Sequence, residues 1–438
     1  MLALTLAGGC EARAKRLAEA SEPEIRDYPL VLTRMGVGVD AHPDDRWLGQ
    51  GAELRSEVVA DDAWMEVVAE AGGGLRIFPG RRLPFERSSR ATLAIRAEDA
   101  SPEAPVEVEL AFYDAAHGNR FWRPLSFEDS DWHELDVDLG YLRYDRGTVP
   151  RWENVTSWGL VFRTPGTLAL RELAVWQDGP SVSPYLSDQD LRMSFASPSQ
   201  VRVGDRGPFV VLTDEPRLDL DEVLDALVAM ETRMRRRFPD LPTPDRAVPL
   251  LVFANEASYR GFWSRMAART GSRARPLPED EGYTWMGIAT AWYNEEYGPV
   301  RPTYVHEASH ALLERSLGLA AQRSWLFEGL GVFDQLYVSR QDLSSVYRQG
   351  LRRSDLKMPM DELLSGDPIP TSRYWQATLF MEWILVEPER TMALGAALHD
   401  MRMRGSADLR WLTGRHFGLD LPTLEASFWA WAAETYGR

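Results

Sequence analysis

Two shortages shape the sequence. One cysteine, Cys10, occurs in 438 residues, so neither an intrachain disulfide nor a cysteine-built metal site is available. Lysine occurs only at Lys15 and Lys357, and the 49 basic residues are outweighed by 66 acidic ones, for a net charge of −17. A surface that grips nucleic-acid phosphates needs the opposite sign, so no nucleic-acid partner is expected. No run of about 18 apolar residues occurs, which excludes a polytopic membrane protein. With 44% hydrophobic and 26% charged residues, the chain has enough apolar side chains for packed cores and is not disordered throughout. At roughly 100–200 residues per domain, the length predicts two or three domains.

The texture changes along the chain. Residues 1–10 are a short apolar run ending in small residues and Cys10, and residues 11–27 form a polar tether. Residues 28–179 carry short alternating runs, among them 91–96 (ATLAIR), 106–113 (VEVELAFY), 133–139, 158–162 and 168–176. Period-two alternation at this spacing predicts an all-β sandwich. Residues 180–207, rich in Ser, Pro, Gly and Asp, read as a linker. Residues 208–438 begin with strands at 209–213, 248–253 and 284–293, interleaved with helices at 220–238 and 255–270, the latter capped by Asn255. Helical periodicity then dominates over 302–318, 324–339, 373–387, 391–403, 406–415 and 422–436. Strands followed by many helices predict an α+β domain, mostly helical after residue 302.

Residues 306–310 read His-Glu-Ala-Ser-His. On a helix, positions i and i+4 lie about 40° apart in azimuth, so His306 and His310 present both imidazoles to one side. Two neutral ring nitrogens at that spacing suit Zn²⁺, and Glu307 beside them can act as general base toward a water. A site of this kind needs a third protein ligand and an open position. Glu328, in Trp-Leu-Phe-Glu-Gly-Leu-Gly (325–331), lies 18 residues after His310, far enough for a turn and a helix running back.

HExxH followed at this distance by WLxEGLG resembles the gluzincin metallopeptidases, over roughly residues 208–390. The resemblance implies one catalytic Zn²⁺ held by His306, His310 and Glu328, Glu307 as catalytic base, and a peptide or protein substrate. Gly329 and Gly331 would let the ligand helices pack closely. Gluzincins often use a downstream Tyr or His to stabilise the oxyanion, and Tyr374 is the candidate here. Asp334, about two turns beyond Glu328, is the candidate for orienting a histidine ligand. The strand around 287–292 could hold substrate by β-augmentation.

Two further resemblances concern the rest of the chain. Residues 1–10 resemble a bacterial lipoprotein signal. That implies a secreted or cell-envelope protein lipidated at Cys10, with membrane contact only through the anchor. Residues 28–179 resemble jelly-roll carbohydrate-binding modules in pattern, which implies a glycan partner with Trp122, Trp132, Trp152 and Trp158 as stacking residues. Asp114, Asp129 and Asp131 are candidates for a structural Ca²⁺. Two alternatives to a peptidase stand beside it: a carbohydrate-associated surface binding protein with an inactive zinc domain, and an envelope protein whose zinc only staples helices.

Overall fold

The computed structural model describes residues 46–437, apart from 60–61, 79–89, 117–118, 140–141, 145–146, 177–187, 245–246, 271–280, 298–299 and 322. Cys10, the tether and the first part of the expected β domain lie outside the described residues.

The β-rich half holds β1 (Arg46–Val59), β2 (Asp62–Phe78), β3 (Arg90–Ala97), β4 (Val106–Asp114), β5 (Asn119–Phe127), β6 (His133–Asp138), β7 (Arg143–Tyr144), β8 (Gly147–Thr148), β9 (Val155–Phe162) and β10 (Gly166–Trp176). Alternation builds it: β3 buries every second residue, and Val106, Val108, Leu110 and Phe112 of β4 point into one core with Ile77, Ile95, Trp158 and Phe162. The expected two-sheet sandwich is one curled nine-stranded sheet, in the order β6-β3-β10-β2-β9-β4-β5-β7 with β1 on β2. The long strand β2 joins what would have been two sheets. Its residues Met65–Ala69 pair with β10 and Gly74–Ile77 pair with β9. At Gly74 any Cβ would lie 2.0 Å from the Leu160 carbonyl oxygen, so only glycine permits that approach.

A short helix, α1 (Asp188–Met193), leads into a five-stranded mixed sheet. The sheet comprises β11 (Arg202–Arg206), β12 (Phe209–Thr213), β13 (Val248–Phe253), β14 (Gly282–Trp285) and β15 (Ile288–Trp292), in the order β11-β12-β13-β15-β14. Strands β12, β13 and β15 are parallel. Every residue of β12 and β13 is buried, as befits parallel strands covered on both faces. One face packs on α2 (Leu220–Arg237), the other on α3 (Glu256–Thr270). Asp219 caps α2 by accepting from the Glu222 N–H, and Asn255 caps α3 through the Ser258 N–H, contacts worth about 1 kcal/mol each.

The remaining helices are α4 (Pro302–Leu317), α5 (Trp325–Ser339), α6 (Ser344–Arg352), α7 (Met360–Leu363), α8 (Tyr374–Leu385), α9 (Pro388–Arg404) and α10 (Leu421–Tyr436). Helix α4 is the central one. It starts on Pro302, ends on left-handed Gly318, and buries every residue from Tyr304 to Leu317. The helix expected at 406–415 is instead a π-helical turn over Thr413–Phe417, because Gly405 at φ 64° ends α9 and the chain turns back there.

The two halves touch at the end of α4. A short strand after it, β16 (Leu319–Ala320), pairs with β8, and the Val149 N–H donates to the Gly318 carbonyl at 2.8 Å. The Tyr144 hydroxyl donates to the Glu314 carboxylate.

Candidate metal centre

Three elements supply the site. Helix α4 presents His306 and His310 one turn apart, with ring centroids 4.5 Å from each other. Helix α5 runs alongside and brings Glu328 to them. Glu328 Oε2 lies 3.3 Å from His306 Nε2 and 3.9 Å from His310 Nε2. All three side chains are buried, and their ligand atoms fall within 4.8 Å of one another. Among the described residues no other group of three His, Cys, Asp or Glu comes together in this way.

The glycines between these helices have distinct tasks. A Cβ on Gly331 would lie 2.7 Å from His310 Nε2 and 3.0 Å from a His306 ring carbon. Gly331 therefore lets α5 close over the imidazoles. A Cβ on Gly329 would lie 2.9 Å from the Ala377 carbonyl oxygen, so Gly329 admits α8, not α4.

The electrostatics suit a cation. Burial favours the neutral form of each group. At Glu328 that effect is overcome by the two histidines and by the Tyr374 hydroxyl, which hold its carboxyl below the ordinary range. Burial brings His310 down to about 4, where it is a neutral imidazole at physiological pH. His306 is raised despite burial, because Glu328 and Glu307 both favour its charged form. Glu328 Oε2 is buried with no well-directed hydrogen-bond donor. His310 Nε2 also meets the Phe327 carbonyl oxygen at 2.9 Å. An anionic oxygen and two imidazoles with ligand atoms within 4.8 Å of one another, one oxygen left wanting a partner, fit Zn²⁺ by donor type.

Glu307 faces the same cleft from the side of the edge strand. Its Oε2 is 2.7 Å from Thr284 Oγ1 on β14 and 3.8 Å from His310 Nδ1. Gly282, two residues earlier, makes room for it, since a Cβ there would lie 2.7 Å from Glu307 Cγ. Tyr374, the first residue of α8, lines the cleft beside Glu328 and helps to favour its charged form. Burial pushes its hydroxyl well above the ordinary phenol value, so it serves as a proton-bearing donor. The cleft has a volume of about 250 Å³.

Other sequence expectations land elsewhere. Both carboxylate oxygens of Asp334 lack a hydrogen-bond donor, so it bonds neither histidine. It lies 3.6 Å from Arg233 and 3.5 Å from Arg237 of α2. Two helical turns are 7.2 residues, so the residue stacked over Glu328 is Gln335, which lines the cleft with His306 and favours its charged form. The stretch 284–293 is a hairpin broken at Met286 and Gly287, both at positive φ. Residues 288–292 pair on both sides, so the exposed edge is β14. Asp114, Asp129 and Asp131 do not converge. Asp114 and Asp129 sit beyond opposite ends of β5. Asp114 accepts from the Ala116 and Arg151 N–H groups, and Asp129 accepts from the Asp131 N–H. Trp152 and Trp158 are core residues, which leaves Trp122 and Trp132 partly accessible. The signals that were missed are the hairpin turn at Met286 and Gly287, just after Thr284, and the seven-residue step to Gln335.

No family model matches the chain, and no curated protein matches it. Among solved structures, a family 29 carbohydrate-binding module is similar over 35% of this chain and 95% of that chain, at 11% identity and a TM-score of 0.26. A family 11 module from Clostridium thermocellum, in complex with a β-1,3-1,4-mixed-linked tetrasaccharide, is similar over 35% and 98%, at 14% identity and a TM-score of 0.25. These matches fall on the β-rich half.

Proposed function

We propose that this chain is a zinc-dependent hydrolase of peptide bonds. The observation that carries the reading is the convergence of His306, His310 and Glu328 beside a Glu307 that is not itself a ligand. A divalent cation held by those three residues would supply Lewis-acid polarisation and a nucleophilic water at neutral pH. The chain's own residues account for the rest. The Glu307 carboxylate accepts a proton from the attacking water and hands it to the leaving amine. The Thr284 hydroxyl fixes the carboxylate for that transfer. The Tyr374 hydroxyl stands at the cleft to donate toward the oxyanion that develops on the scissile carbonyl. Strand β14, at the sheet edge and paired on one side only, offers backbone groups to an extended peptide.

The test uses the full chain. The wild type and Glu307→Gln should both retain stoichiometric zinc, and the variant should lose at least about 100-fold in turnover of a peptide library. Equal hydrolysis by both proteins refutes Glu307 as the base.

A second reading, glycan binding by the β-rich half, is favoured by one observation. A groove of about 490 Å³ on that half is lined by Trp122, Pro124, Arg143 and Arg163, a sheet face where an aromatic ring meets polar groups. Retention on immobilised β-glucans, lost in Trp122→Ala, would support it.

A further inference from the structure

Helix α9 is apolar on two opposite sides. Leu394, Ala397, Leu398 and Met401 are buried against the protein. On the outer side Met392 is 67% and Met403 62% exposed, with Ala396 and His399 open to solvent between them. A surface helix ordinarily turns polar residues outward. The four outer positions follow the spacing i, i+4, i+7 and i+11, which keeps them within about 60° of azimuth. They form one stripe about 16 Å long, the two-position seam of a helix that meets another helix. Methionine suits such a contact, because its unbranched side chain fits itself to what it meets.

The stripe is its own complement. Laid against a second copy in the antiparallel sense, Met392 faces Met403 and Ala396 faces His399, small against large, whichever copy is read first. The ends add charge. Glu389 and Arg404 are both exposed and lie on the same flank of the stripe, about 60° and 120° round from Met392. A two-fold axis perpendicular to both helices reverses direction and keeps like flanks together. Glu389 of each copy therefore comes level, within about 3 Å along the axis, with Arg404 of the other. The Arg404 guanidinium lies over the Trp411 ring, a stack on its face that is compatible with hydrogen bonds at its edge. An anionic bilayer is a poor occupant, since the chain carries −17 and Glu387 and Glu389 stand at one end of the stripe.

We propose that the outer face of α9 is a self-association surface, through which two copies of this chain pair antiparallel about a two-fold axis. A single pair of helices falls below the roughly 1,200 Å² of standard interfaces, so the dimer is a weak one that forms at micromolar concentration. No side chain of the metal centre takes part, and the dimer and the peptidase stand or fall separately.

The test is sedimentation velocity of the full-length protein from about 1 to about 200 μM, where mass action should carry it from monomer to dimer. Ala396→Arg sets a charge at the middle of the stripe. It should raise the dissociation constant at least about tenfold and leave the melting temperature of the dilute monomer unchanged, because the position is exposed. Glu389→Arg and Arg404→Glu should each weaken self-association at least about fivefold, since like charges then meet at both ends. Mixed in equal amounts, the two variants should dimerise as well as the wild type, because both end pairs are again opposite in sign. In a parallel pair the single variants would match the wild type, since like charges meet there already. A protein that stays monomeric to about 200 μM overturns the proposal, as does a dimer indifferent to Ala396→Arg. A mixture that does no better than the single variants overturns the antiparallel arrangement. Binding of a monomeric protein to phosphatidylglycerol vesicles, abolished by Met392→Glu, gives the face to a bilayer and overturns the proposal likewise.

Discussion

The Thr284 hydroxyl lies 2.7 Å from Glu307 Oε2 and 2.9 Å from the Glu307 carbonyl oxygen. It has one proton and two acceptors on the same residue, so it ties both the backbone and the carboxylate of Glu307 to the edge strand. Thr284→Val keeps the shape and removes the donor. We expect kcat to fall about tenfold, with KM and zinc content unchanged, and Thr284→Ser to restore most of it. A parallel loss of zinc in Thr284→Val would mean that the strand supports the site as a whole.

Gly331→Ala tests the close approach of α5 to the imidazoles. The added methyl would lie 2.7 Å from His310 Nε2, inside contact distance, and must displace a ring. Zinc affinity should fall at least about tenfold, measured by competition with a chromophoric chelator. Gly329→Ala should instead lower the melting temperature, because its clash is with the backbone of α8.

Asp334 is surrounded by cations. Burial raises its pKa to about 6, while Arg233 and Arg237 pull it down. Removing the charge in Asp334→Asn leaves two guanidiniums from α2 without their anion. The cost should be about 3 kcal/mol by denaturant unfolding. Gln335→Leu, one residue on, should leave stability nearly unchanged and weaken zinc binding, since it is Gln335 that steadies His306.

Glu314 gives a pH dependence with a definite sign. Burial raises its pKa from 4.5 to about 7, opposed by the Tyr144 hydroxyl, Arg315 and the Gly287 N–H. The folded state therefore holds this proton more tightly than the unfolded chain. The favourable contribution is complete below about pH 4.5 and is lost as pH rises through about 7. Glu314→Gln removes the titration. Its melting temperature relative to wild type should rise across that window and stay level above it. A gap independent of pH would contradict the assignment.

Legibility in the sequence followed the range of the interactions. His306, Glu307 and His310 were readable because a helix fixes their relative positions whatever surrounds it. Glu328 was readable from its flanking motif. Strands β3, β4 and β10 were readable from alternation. Thr284 was not, because the apolar run 284–293 hides a reversal at Met286 and Gly287 that turns one strand into two. Strands β1 and β2 were missed because their glycines and charges blur the alternation that tertiary pairing restores. Helix α6 was missed because its nine residues are mostly polar and make too short a stretch for the period to stand out, with only Tyr347 and Gly350 buried.

The pairing of β8 with β16, together with the Tyr144–Glu314 contact, bears on how this protein can be taken apart. A chain shortened to residues 208–438 would carry His306, Glu307, His310, Glu328 and Tyr374 yet expose the main-chain groups of Leu319 and Ala320. It would also uncover a carboxyl group at the foot of the helix that bears both imidazoles. Such a fragment would be prone to self-association through that bared ribbon. The smallest portable unit is therefore the joined pair, and a graft or fusion must carry both halves together.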